Sequence, residues 1–140
     1  MKSEEIEYLK DLIEQLESDK KYTLLFITFN IAILTLVTNG IVLNTEPISL
    51  NLFEKIIMST AMFLIFIGTI AFLKWYVELH ILRIKKTDLF LTKDISEARK
   101  THYPGNDFFK NKSLIFLIGS YSTGIAIFLF VIEIMYRIWM

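Results

Sequence analysis

Side chains that could do acid–base, nucleophilic or metal chemistry are scarce in this chain, and their spacing suits none of it. The two histidines, His80 and His102, stand apart from each other and from any carboxylate cluster. Neither falls into a metal-ligand spacing such as His-Glu-x-x-His, and lone surface histidines are the simplest reading of both. Cysteine is absent, which removes disulfides, thiolate nucleophiles and thiolate metal sites together. No glycine-rich phosphate loop, serine nucleophile elbow or pair of acids inside one apolar run occurs. The expectation is a non-enzyme with no cofactor, no bound metal and no nucleic-acid motif.

The polar residues that do form a pattern lie inside otherwise apolar stretches. Thr28, Ala32, Thr35 and Asn39 follow at spacings of four, three and four, so they share one helical face, with Thr38 beside it. Polar groups against lipid are unfavourable, so this stripe should meet another helix or line a water path. The plainer alternative is that each hydroxyl bonds back to its own helix and the face simply packs. Asn30 sits on the opposite side and is expected to hydrogen-bond to a neighbouring helix. Farther along, Ser120 with Gly124 and Ser122 with Ala126 form small-xxx-small pairs, which let helix backbones approach closely. Gly119, Ser122, Ala126 and Glu133 then fall on a common face. Glu133 is the one carboxylate placed to lie at hydrocarbon depth, and Arg137 follows four residues later in the order that favours an ion pair. An intrachain pair and a ring of carboxylates in an assembly are both open readings.

These residues are carried by three uncharged apolar runs, 22–45, 56–73 and 113–132. Each is close to the ~20 residues a helix needs to cross a hydrocarbon core. With 54% hydrophobic and 14% aromatic residues in 140, the composition exceeds that of an ordinary soluble domain and leaves room for one domain. The dense charge of residues 1–21 and the length of the first run argue against a cleaved secretory signal. The formal net charge is zero, but the basic residues are unevenly placed. Thirteen of the fifteen Lys and Arg lie before the first run or between the second and third. Orientation follows that bias, so the N-terminus and the long 74–112 connection should face the cytoplasm, with 44–55 and the C-terminus outside.

The expected fold is an all-α membrane protein with three transmembrane helices. A cytoplasmic amphipathic helix (3–21) precedes span 22–43, and an outer loop (44–55) leads to span 56–77. A helical cytoplasmic extension and connection (78–112) then lead to span 113–136 and a short outer tail (137–140). Ser3 is a candidate N-cap, and Ile6, Leu9, Ile13 and Leu16 recur at helical spacing as one apolar stripe. Neither Gly nor Pro interrupts residues 3–39, so one helix should run from the cytoplasm into the membrane. It should break near Thr38-Asn39-Gly40, and Asn44 to Pro47 should make the outer turn. Ser49 or Asn51 should cap the second span. Lys74, Trp75 and Tyr76 resemble an interfacial anchor, beyond which Val77, Ile81 and Ile84 keep helical spacing. Thr92 should cap a further short helix, Tyr103 to Asp107 should form a turn, and Ser113 should cap the third span. The second span, nearly free of polar groups, reads as the lipid-facing or scaffold helix.

Three helices enclose little interior, so identical copies around an axis are the natural way to cover the Thr/Asn or Ser/Gly/Glu faces. Ile6, Leu9, Ile13 and Leu16 would then bundle in the cytoplasm, and the assembly would be a pore or ion channel. The whole plan is similar to the small transmembrane effectors of bacterial anti-phage defence systems. That resemblance implies a bacterial inner membrane, oligomerisation, and membrane depolarisation on a signal from a cytoplasmic sensor protein or ligand. Two other small membrane families fit less well. Lipid kinases of the bacterial diacylglycerol kinase type need several carboxylates at the membrane face. Holins of this size generally run with the N-terminus outside. A non-conducting membrane anchor or accessory subunit of a larger complex is the competing expectation. Secondary transporters usually show internal repeats and broken helices, neither of which is visible here.

Overall fold

A computed structural model describes residues 3–41, 50–92 and 107–140. Three long helices make up nearly all of them: α1 (Ser3–Ile41), α2 (Leu52–Thr92) and α3 (Asp107–Trp139). At 1.5 Å per residue, α2 with its 41 residues reaches about 60 Å, roughly twice the hydrocarbon thickness. All three are long and apolar enough to cross a membrane, as in a multi-pass membrane protein, and the described residues are almost all helical.

The helices run up, down and up. Leu12 and Leu16 of α1 cluster with Trp75, Leu79 and Leu82 of α2, and Ile115 and Phe116 of α3 pack on them. Farther along, Ile33 and Leu34 of α1 pack on a cluster of Ala61, Ile65 and Ala126. Between the two levels, Phe26 stacks on Phe72 at 5.3 Å, and Phe116 meets Phe72 edge-on at 5.6 Å, so one aromatic group joins all three helices.

Helix α2 lies between the other two and packs against both. A third of its most apolar window is buried inside the chain, against 17% for each neighbour. It is thus the scaffold, although Phe63, Phe66 and Ile70 on its other side still face outward. Its lack of polar side chains suits burial between two helices as well as it suits lipid, which is why composition alone left both readings open. Large apolar side chains such as Leu36, Phe63, Tyr121 and Phe128 point outward along all three helices. So much exposed apolar surface is expected only where lipid or further protein replaces water.

One helix end departs from the sequence expectation, at Ser113. Helix α1 ends at Ile41, within a residue of the break expected near Thr38-Asn39-Gly40. Ser113 is not a cap, because α3 is already helical from Asp107. Helix α2 runs unbroken from Leu52 to Thr92. The turns expected at Asn44 to Pro47 and at Tyr103 to Asn106, and the short helix after Thr92, lie outside the described residues. At the start of α2 the cap is Asn51: its Oδ1 accepts from the Glu54 amide at 2.8 Å, while Glu54 Oε2 accepts from the Asn51 amide at 2.7 Å. That reciprocal pair is a capping box with Asn as the cap.

Candidate functional site

Two polar levels join the helices in the apolar part of the bundle. At the first, Asn30 Nδ2 donates to Thr123 Oγ1 at 2.9 Å, joining α1 to α3. Asn30 is wholly buried and Thr123 nearly so, which makes this the interhelical bond expected of Asn30. The backbones are close here. A Cβ on Gly68 would stand 2.6 Å from Thr123 Oγ1 and 3.2 Å from the Gly119 carbonyl oxygen. One on Gly119 would meet the Phe72 ring at 3.0 Å. Glycine at both positions is what lets α2 and α3 approach and aim the Thr123 hydroxyl at Asn30.

The second level joins the N-terminal end of α2 to the C-terminal end of α3. Arg137 Nε donates to Glu133 Oε1 at 2.8 Å, and its Nη2 lies 3.5 Å from Glu54 Oε1. Asn51 Nδ2 donates to the Tyr136 hydroxyl at 3.3 Å, and Phe53 packs on the same ring. Glu133 is only 3% exposed, and its Oε2 has no hydrogen-bond partner. Both carboxylates therefore turn to one guanidinium at this helix junction. A cavity of about 450 Å³ opens beside it, lined by Phe29, Ile33, Met58 and Phe130 among other apolar side chains. Glu133 and Arg137 are the charged residues in its lining.

The residues singled out by spacing divide between the inside and the outside of the chain. Gly119, Ala126 and Glu133 are buried against the chain's own helices, and Ser122 is half-buried beside them. Ser120 is half-buried and donates to the Phe116 carbonyl, while Gly124 faces outward with nothing near its Cβ position. On α1, Thr28 and Thr35 are exposed and donate to the carbonyls of Leu24 and Ile31 at 2.9 and 2.8 Å. Ala32 and Asn39 are exposed on that same face, and Thr38 is half-buried. Glu133, by contrast, is buried within the chain.

The apolar stripe near the N-terminus is largely covered within the chain. Leu9 and Leu16 are buried, together with Leu12, which the spacing had not singled out. Ile13 is half-buried and Ile6 is exposed, so contact with another copy through this segment would rest on those two. Beside the stripe, Arg83 Nε pairs with Glu17 Oε2 at 2.6 Å, and Lys20 lies over the Tyr76 ring at 5.5 Å. These contacts clasp the charged ends of α1 and α2. Sequence reading named Asn51 as a candidate cap but not Glu54 as its partner, and it missed the contacts of Gly68, Thr123 and Tyr136. Only the Asn51-x-x-Glu54 spacing signalled any of them in advance.

Among the described residues no group of three or more His, Asp or Glu is placed to hold a metal ion. Comparison with protein families, with curated proteins and with solved structures finds no match.

Proposed function

We propose that several copies of this chain assemble in the membrane through the open face of α1 and form a pore or ion channel. The observation that carries this reading is the exposure of Thr28, Ala32, Thr35 and Asn39 together in the apolar part of α1 (22–41), where the other exposed residues are mostly Leu, Ile and Phe. Inside one chain the helices close on Ala61, Ile65 and Ala126, so a water path requires further copies. Each threonine donates its proton to its own helix, which leaves the hydroxyl oxygen as an acceptor on the open face. Such oxygens suit a wet lining of moderate polarity. The clasped charged ends of α1 and α2 would receive the signal from a cytoplasmic sensor protein or ligand. A membrane-depolarising effector of bacterial antiviral defence is the role this architecture resembles.

Purified protein in planar bilayers tests the reading. If ions pass the open face, Asn39→Asp should raise cation over anion permeability, because a ring of added negative charge concentrates cations. Thr35→Val should lower conductance by favouring dewetting. Current that ignores both changes would misplace the lining. A silent bilayer under every trigger would favour the non-conducting anchor or accessory subunit.

A further inference from the structure

The cavity beside Glu133 belongs to a single chain, and its chemistry does not depend on how copies assemble. We propose that it is a binding site for an aminophospholipid, with an acyl chain among Phe29, Ile33, Met58 and Phe130 and the lipid's primary ammonium on Glu133. Three observations carry the assignment. The cavity's volume of about 450 Å³ falls within the roughly 300–1,000 Å³ of small-ligand pockets, and its lining is almost wholly apolar. Such walls give water few partners but suit a hydrocarbon chain.

The polar end is also short of a cation. Glu54 and Glu133 share the one guanidinium of Arg137, which leaves one negative charge uncompensated when both acids are ionised. The acceptor left over is a definite atom: Glu133 Oε2, buried and without a hydrogen-bond partner, on a residue that lines the cavity. A buried carboxylate oxygen calls for a donor, and a charged one serves best. A primary ammonium supplies three N–H donors at the end of a chain-bearing molecule, whereas a quaternary choline headgroup supplies none. Arg137 is two-fifths exposed and carries five N–H donors, so it can also contact the lipid phosphate.

Native mass spectrometry of the full chain in detergent micelles tests this. The micelles are titrated with phosphatidylethanolamine or with phosphatidylcholine of the same acyl chains. One phosphatidylethanolamine should be retained per chain, with a preference of about tenfold over phosphatidylcholine, the scale of one charge-assisted hydrogen bond. Glu133→Gln should abolish the preference. Met58→Trp, which fills the groove and leaves the ion pair alone, should reduce retention of both lipids. Equal retention of the two lipids by the unaltered chain, no retained lipid, or a preference that survives Glu133→Gln would overturn the proposal. So would undiminished binding by a folded Met58→Trp chain.

Discussion

Replacing Gly68 with Ala sets two effects of opposite sign against each other. In an unobstructed helix interior, Ala is favoured over Gly by about 0.8–1.0 kcal/mol because it loses less backbone freedom. At Gly68 the new methyl group would stand 2.6 Å from Thr123 Oγ1 and 3.2 Å from the Gly119 carbonyl oxygen. The first contact is far inside van der Waals distance, and the second involves backbone that cannot swing aside. Either α2 and α3 separate, or Thr123 turns and leaves Asn30 without its 2.9 Å acceptor. Overpacking of this kind costs typically 1–3 kcal/mol. Losing an interhelical hydrogen bond in a membrane adds on average about 0.6 kcal/mol and at most about 1.7. The clash should win, with a net destabilisation of about 1–3 kcal/mol.

Gly124→Ala supplies the matched control on the same bundle, since nothing lies within 4 Å of its Cβ position. There the propensity term acts alone, and the change should be neutral or stabilising by up to about 1 kcal/mol. Unfolding in mixed micelles with increasing dodecyl sulfate, followed by circular dichroism, measures both. Combining Gly68→Ala with Thr123→Ala removes the closest obstructing atom, so Gly68→Ala should cost less in that background than alone. If Gly68→Ala stabilises as much as Gly124→Ala, or costs the same with and without the Thr123 hydroxyl, the close approach of α2 and α3 is wrongly placed.

Leu16→Ala should destabilise by about 2–5 kcal/mol, because Leu16 is fully buried among Leu12, Trp75, Leu79 and Leu82; the same unfolding assay reads it. Ile6→Ala, at a 37% exposed position, should change stability by less than about 0.5 kcal/mol, and the reverse order would return the stripe to contacts between copies. A reporter fused after Met140 should appear outside the cytoplasm and one inserted at Gly105 inside, on the strength of thirteen basic residues against two. Gly124→Leu adds bulk on an outward face of α3; if copies meet there, blue-native electrophoresis should show a smaller species, and an unchanged one moves the contact to α1.

The spans were legible because hydrocarbon thickness acts on length and composition alone, which a sequence displays directly. The unbroken α1 was legible for a similar reason, since nothing from Ser3 to Asn39 forbids a helix. What composition could not supply was rank order within the bundle. A helix between two others and a helix in lipid both require apolar side chains, so composition left α2 as either scaffold or lipid-facing, and only its packing on both neighbours ranks it. The decisive signal was Gly68, which periodicity gives no weight, because the meaning of a glycine depends on what lies opposite.

The polar residues show the same limit from the other direction. Helical spacing grouped Glu133 with Gly119 and Ala126, and the structure does bury all three. It could not name Glu54, because that contact joins helix ends separated by most of two spans. Nor could spacing distinguish a stripe facing a partner from a stripe facing its own chain. Leu9 and Leu16 are covered within the chain, while Thr28 and Thr35 are left open, though both sets are periodic. The asymmetry has a physical basis. If the charged end of the bundle stands in water, leucines there gain from burial against α2. Threonines in hydrocarbon gain little from any one neighbour once their protons are on their own carbonyls. An apolar face in water is therefore covered by the first surface that reaches it. A weakly polar face in lipid can stay open until a second copy supplies a reason to close it.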